Sequence, residues 1–282
     1  MGNTYLLYNP LSGNGRGEET AKALQSRMGK AVQWTDLTKI EDLAGFFAGM
    51  EPEDEFILVG GDGTLNRLVN TVEEEALPDN LYFYPAGSGN DFWKDVKTDK
   101  DEPIALKPYL AHLPHVVVNG KSYRFLNGVG YGIDGYCCEV GDRMRATSDK
   151  PVNYTSIAIK GLLFDFHPCG ATVNMDGKEL RYKKVWLAPT MHGRFYGGGM
   201  MCAPAQDRLN PEGTVSLVVM HDSGKLHTLT VFPSIFKGEH VNHREMVDVL
   251  TGHRISVHFD RPCALQVDGE TILNVMEYHV VA

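Results

Sequence analysis

The sequence predicts an α/β domain followed by a β-rich second domain, and three observations predict it. Over the first hundred residues, short apolar runs alternate with helical patterns, as in a mainly parallel sheet covered on both faces. Beyond about residue 106, Asn119-Gly120, Asp176-Gly177 and Asp268-Gly269 each separate two β-type runs, and such dipeptides are the strongest short-range hairpin signal. Across 282 residues, 43% hydrophobic and 22% charged content supports an ordinary core in two modest domains.

The elements follow in order. Residues 4–8 (TYLLY) read as a buried strand, 18–28 as a helix, 31–35 as a second strand and 40–48 as a helix. Residues 55–59 (EFILV) form a third strand. A helix over 64–75 carries Leu65, Leu68, Val69 and Val72 at helical spacing. A fourth strand covers 81–84 (LYFY), and a short helix runs from about 88 to 95. The second half is antiparallel and Gly-punctuated, with helical segments near 136–145, 152–164 and 225–236. The change of pattern divides the chain into domains 1–106 and 107–282, with the extreme C-terminus free to return to the first domain. In a mainly parallel sheet, ligands bind at the carboxyl ends of the strands.

Composition excludes several functions. A net charge of −9, from 27 basic and 36 acidic residues, argues against nucleic acid as a partner, because binding phosphate backbones needs a basic face. No apolar stretch approaches the roughly 20 residues of a membrane-spanning helix. The first residues, MGNTYLLYNPLSG, lack a signal-peptide pattern, and Leu6 stands where a myristoylation signal wants Ser or Thr. Five cysteines without metal spacing indicate free thiols in a reducing, cytoplasmic setting. Exposed sheet edges leave room for a homodimer.

Three glycine-rich turns follow three of the predicted strands and project from one sheet edge: residues 9–17 (NPLSGNGRG), 60–64 (GGDGT) and 85–91 (PAGSGND). Glycine lets the backbone approach a phosphate closely, and helix N-termini favour anions. Thr64 or Ser88 can add a hydroxyl contact. One such turn is common in any α/β fold, so their co-occurrence is what points to phosphate. Neither the dinucleotide fingerprint nor the Walker loop is present. Asp62 sits inside a phosphate-type loop, where a carboxylate beside an anion is costly unless a metal joins them.

NPLSG, GGDGTLN and PAGSGNDF, in this order and spacing, resemble the diacylglycerol kinase catalytic domain family, which includes sphingosine and ceramide kinases. The likeness continues through NGVGYGID (127–134), GGGMMCAPAQDRLNPEG (197–213), FKGEH (236–240) and DGE (268–270). It implies an NAD-kinase-like α/β nucleotide-binding domain, a β-sandwich-like second domain and an active site in the cleft. It also implies an ATP- and magnesium-dependent enzyme that phosphorylates a lipid hydroxyl, most simply diacylglycerol to phosphatidic acid, working from the cytoplasm at the bilayer surface. By residue, ATP contacts fall on Asn9, Pro10, Leu11, Ser12 and Gly13, on Gly61, Asp62, Gly63, Thr64, Leu65, Asn66 and Arg67, and on Ser88. Thr38, rather than Thr35, joins them. Asp62 is implied to be linked to magnesium and Asp134 to support it. Asn210, Glu212 and Val215 fall in the family's metal-binding loop, and Glu270 becomes the general base.

On the residues alone, Asp268-Gly269-Glu270 needs no reason beyond a hairpin turn with a solvated glutamate. The chain departs from the family where Arg67 replaces a usual Glu and where Asn210-Pro211-Glu212 replaces a usual pair of aspartates. Arg67 could instead meet a phosphate as a bidentate donor. NAD kinase, which shares GGDGT, and a catalytically impaired nucleotide-binding regulator are the alternative functions. His240, His243 and His253 read as surface or loop histidines. The Met-rich stretch 191–202 suits either a lipid-accepting cleft or core packing, and residues 162–166 (LLFDF) read equally as a membrane-touching edge or a packed helix end.

Overall fold

The structure, a computed structural model, describes residues 2–147 and 152–282. The chain divides into two compact units, one ending at Leu113 and the other beginning at Pro114. The pattern change at 106 therefore lies seven residues before the division.

The first unit is a five-stranded sheet in the order β2-β1-β3-β4-β5, with β1 Thr4–Tyr8, β2 Gln33–Asp36, β3 Glu55–Gly60, β4 Leu81–Pro85 and β5 Ile104–Ala105. All neighbours are parallel except the short edge strand β5. A distorted turn α1 (Ser12–Gly15) and helices α2 (Gly17–Met28), α3 (Leu43–Ala48), α4 (Asp62–Thr71) and α5 (Asp91–Val96) connect the strands, and a single turn α6 (Lys107–Leu110) follows β5. Alternate residues of β3 face opposite ways, as strand geometry requires. Ile57 and Val59 pack with Ala21 and Leu24 of α2. On Phe56 lie the rings of Phe46 and Phe47 from α3.

Three expected helices begin or end elsewhere, each for a local reason. The helix expected over 40–48 starts at Leu43, because the Asp42 side chain accepts the Gly45 N–H as an N-cap. The one expected over 64–75 begins at Asp62 and stops at Thr71, where buried Val72 turns extended. The one expected from residue 88 starts at Asp91: Asn90 is left-handed (φ 53°) and its side chain closes a turn with Gly87.

In the second unit, ten strands among the described residues form one sheet. They are β6 His115–Val118, β7 Lys121–Arg124, β8 Gly128–Tyr131, β9 Cys169–Met175, β10 Lys178–Leu187, β11 Thr190–Met191, β14 Val215–His221, β15 Val247–Gly252, β16 Arg254–Val267 and β17 Glu270–Val281. A small separate ribbon holds β12 (Phe195–Tyr196) and β13 (Met200–Met201). The long strand β16 bends at a register shift between His258 and Cys263. Its first half pairs with β9 and its second half with β8. The intervening strands β11, β14 and β10 complete the path, so the sheet closes around a core that includes Tyr131, Val173, Leu217, Val257, Phe259 and Leu265. β17 pairs with β16 and β6, which keeps the C-terminal strand within this sheet.

All three expected hairpins form. Their Asn or Asp has φ 49°, 49° and 46° and the following Gly φ 74°, 88° and 96°, two successive positive angles that match the right-handed twist of paired strands. Helices α7 (Ile133–Thr147), α8 (Tyr154–Lys160) and α9 (Lys225–Val231) account for the expected helical segments, with a widened turn over Gly161–Asp165 extending α8. Within that turn Leu162 is buried, while Phe164 is 65% exposed. Met191 and Tyr196 of the Met-rich stretch are core residues. Among the described residues no helix is long and apolar enough to cross a membrane.

Candidate active site

In the first unit the three glycine turns leave the carboxyl ends of β1, β3 and β4 and press directly on one another. A Cβ on Gly13 (φ 59°) would stand 2.4 Å from the Ala86 carbonyl oxygen, and Cβ atoms on Gly61 and Gly87 would stand 2.9 and 2.7 Å from each other's Cα. Glycine is therefore required for the turns to meet. Asn9 N–H donates to Val59 O (3.0 Å) and Ala86 N–H to Gly60 O (2.6 Å), extending the sheet ladder into the loops. Asn9 Nδ2 donates to Thr64 Oγ1 at 3.0 Å, and Ser12 Oγ lies 3.5 Å from the same hydroxyl. Gly61 opens α4 without any side-chain cap, and the space around Gly63 is open. An uncapped helix start with open backbone is suited to an anion.

The expected contact residues differ in what they present. Leu11, Gly63 and Ser88 are exposed, and Pro10, Ser12 and Thr64 are half-buried. Leu65 is a core side chain and Asn66 is buried. Thr35 lies within β2, opposite Leu7, whereas Thr38 follows the strand and gives both its N–H and its hydroxyl to Asp36 Oδ1, at 2.9 and 2.6 Å. That hydroxyl is the main cause holding the Asp36 carboxyl below its ordinary range. Arg67 does not stand ready as a free bidentate fork: it donates to the carbonyls of Leu37 and Ile40, fastening the Thr38 turn to α4.

Asp62 has a structural role that its sequence context does not reveal. Its two carboxylate oxygens accept the N–H groups of Asp91 (3.0 Å) and Phe92 (2.9 Å), capping the start of α5 from twenty-nine and thirty residues away.

In the second unit the NGVGYGID segment owes its glycines to close packing. A Cβ on Gly130 would meet Gln266 Nε2 at 2.5 Å and Asp134 Cβ at 2.9 Å, and one on Gly135 would stand 1.8 Å from the Ala264 carbonyl oxygen. The start of α7 is thereby pressed onto β16. Asp134 is buried there, and its Oδ2 has no hydrogen-bond partner among the described residues. Burial pushes the Asp134 carboxyl up to about 7, with the neighbouring Tyr196 hydroxyl acting in the opposite sense.

Asp268 accepts three backbone N–H groups, from Leu126 (2.6 Å), Asn127 (2.8 Å) and Gly128 (3.0 Å). The buried Arg208 holds the same segment, donating to Leu126 O and Asn127 Oδ1. Sequence reading missed both; the one signal was a lone arginine in a Gly- and Met-rich stretch. Glu270 opens β17 opposite Val267 and is exposed.

Asn210 and Glu212 lie in one short loop that leads into Val215 of β14, but the three offer little as a set of side-chain ligands. The Asn210 amide closes the turn, Oδ1 accepting Thr214 N–H (3.1 Å) and Nδ2 donating to Asp207 O and Thr214 O. Val215 is a buried strand residue opposite Gly252, and Glu212 is exposed. His240, read as a surface or loop histidine, is fully buried with Nε2 on the Cys202 carbonyl, and burial holds its imidazole down at about 4. It ties FKGEH to the Gly-rich stretch.

The description "Diacylglycerol kinase catalytic domain" matches residues 3–120, and "YegS C-terminal NAD kinase beta sandwich-like domain" matches residues 127–279. The chain belongs to the diacylglycerol/lipid kinase catalytic domain family. Its two units are the family's NAD-kinase-like α/β domain and β-sandwich-like domain. A diacylglycerol kinase of Mycobacterium tuberculosis is 25% identical over 277 residues, covering 93% of this chain and 86% of its own. A crystal structure of a diacylglycerol kinase from Bacillus anthracis str. Sterne shares the fold with a TM-score of 0.60 at 17% identity, covering 99% of this chain and 93% of its own. A further crystal structure from that organism has a TM-score of 0.69 at 19% identity, covering 99% and 91%.

Proposed function

We propose that this chain is an ATP-dependent lipid kinase that transfers the γ-phosphoryl group to the hydroxyl of diacylglycerol, giving phosphatidic acid. The observation that carries this reading is the interlocking of three glycine turns beside the uncapped start of α4. Phosphoryl transfer asks a protein mainly for positioning and charge neutralisation. Asn9 to Gly13, Gly61 to Arg67, Ser88 and Thr38 hold the nucleotide, with the core residue Leu65 acting through its backbone and Arg67 by fixing the Thr38 turn. An acidic chain of net charge −9 supplies amide and hydroxyl donors here in place of a lysine field.

The oxygen donors suit magnesium. Asp62 is fixed by two amides, which hold its carboxylate at the turn where a hard cation or its water would meet it. The buried Oδ2 of Asp134 is an oxygen in need of a positive partner or a proton. When bound, the cation neutralises charge on the phosphates. We assign Asn210, Glu212 and Val215 at most a weak, peripheral cation site, since one exposed carboxylate is the loop's anionic donor among the three. Glu270, exposed at the head of β17, takes the proton of the lipid hydroxyl. The protein works from the cytoplasm at the bilayer surface, with the exposed Phe164 as an apolar contact.

Incubation of the purified protein with radiolabelled ATP, magnesium and diacylglycerol in mixed micelles tests the reading. Label in phosphatidic acid is expected. Label in NADP when NAD is offered, or no transfer to any lipid alcohol, would overturn it.

A further inference from the structure

Away from the candidate active site residues, two histidines and a glutamate of the second unit converge: His227, His243 and Glu245. Their ligating atoms all lie within 4.8 Å of one another. His227 Nε2 is 3.7 Å from Glu245 Oε1, and His243 Nδ1 is 3.3 Å from the same oxygen. The two imidazole rings stand edge to face, with centroids 6.5 Å apart and planes at 82°.

These separations carry chemical meaning. Zinc binds His nitrogen and carboxylate oxygen at about 2.0–2.2 Å, and a tetrahedron of such bonds has donor–donor edges of about 3.3–3.6 Å. Two edges of this triangle are already close to that length, so side-chain rotation alone can complete it.

The scaffold beneath the triangle is fixed. His227 lies on α9, whose neighbours Val231 and Phe232 are buried in the core. On the other side, the His243 carbonyl accepts the N–H groups of both Met246 and Val247, each at 2.9 Å, while its own N–H donates to His240 O. Met246 is buried, so His243 and Glu245 are held on a tight turn entering β15. The three side chains are 49%, 40% and 58% exposed, open to an ion from solvent.

We propose that His227, His243 and Glu245 form a binding site for a divalent transition metal, zinc foremost. Two imidazoles and one carboxylate suit zinc rather than magnesium or calcium, which prefer all-oxygen shells. Three protein ligands leave a coordination position for water, and the bound ion would staple α9 to the turn before β15.

A second group has the same residue types and serves as an internal control. His258 and His279 lie 3.4 and 3.6 Å from opposite oxygens of Glu277, yet their donor atoms do not converge as the first group's do. The test is titration of the metal-free protein with zinc chloride against a chromogenic chelator, with cobalt as a spectroscopic probe. One equivalent bound per chain is expected, with a visible cobalt spectrum of four-coordinate type. His227→Ala and Glu245→Gln should each weaken zinc binding at least about 10-fold, since a direct ligand matters no less than an outer-shell partner. Both are surface changes, and their unchanged circular dichroism would certify the fold. Glu277→Gln should leave binding as it is. Affinity unaffected by His227→Ala and Glu245→Gln, an equal loss in Glu277→Gln, or the absence of stoichiometric zinc would overturn the proposal.

Discussion

Replacing Asp62 by Asn tests the observed cap on α5 and the proposed magnesium link together. The carboxylate caps α5 through the N–H groups of Asp91 and Phe92, at 3.0 and 2.9 Å. Asparagine keeps one accepting oxygen and turns the other position into an NH2 group, which cannot accept. A hydrogen bond to a charged group contributes about 1.5–3 kcal/mol, and loss of a helix cap costs about 1 kcal/mol. Asp62 is half-buried, so a loss near the lower end, about 1.5–2 kcal/mol, is expected. For a unit of this size that lowers its melting midpoint by roughly 5–15 °C. Turnover should fall by at least about 10²-fold, as for removal of a transition-state charge stabiliser. Thermal melting by circular dichroism and kinase activity well below the midpoint separate the two effects. A melting point equal to wild type would refute the capping assignment. Turnover within a few-fold of wild type, with the expected drop in melting, would refute the magnesium assignment and leave the cap intact.

Four further outcomes are expected. For Asp134, burial raises the folded carboxyl to about 7 against an unfolded value near 3.8, so the folded form keeps a proton that the unfolded form gives up, and its stability contribution, full below about pH 4, is lost as pH rises to 7. Asp134→Asn removes that dependence. Without magnesium it should gain on wild type by on the order of 2–4 kcal/mol between pH 4 and pH 8, and denaturant midpoints that keep the same gap at both pH values would contradict this. Glu270→Gln should lower kcat by about 10²–10⁴-fold with little change in the KM for ATP, and a fully active variant would end the base assignment. Gly269→Val, at φ 96°, should instead destabilise the hairpin, read as a lower melting point. Activity should follow the surface fraction of diacylglycerol in mixed micelles, and Phe164→Asp should weaken that dependence; rates set only by bulk lipid would count against a bilayer partner.

The local rules of the chain were legible in its sequence. Apolar runs marked β1, β3 and β4 to within a residue, because buried parallel strands need continuous hydrophobic residues. Asn-Gly and Asp-Gly marked three hairpins, because those residues accept two successive positive φ angles far more readily than most. The order of the glycine turns pointed to phosphate chemistry. Helix ends were less legible, since Asp42 and Asn90 act through side-chain bonds that a hydrophobic pattern does not carry.

Tertiary structure decided the partnerships. Nothing near Asp62 in sequence announces that it caps α5, and nothing near Asp268 announces the N–H groups of Leu126, Asn127 and Gly128, some 140 residues away. Arg67, a departure from its family's usual residue, proved to hold the carbonyls of Leu37 and Ile40. His240 read as a surface or loop residue and is fully buried, while His227, unremarked in a helical segment, meets His243 and Glu245. In each case the partner lies on another element. Sequence periodicity fixes which face of an element is apolar, but a polar side chain's role depends on which backbone or side-chain group the folded chain brings within about 3 Å of it.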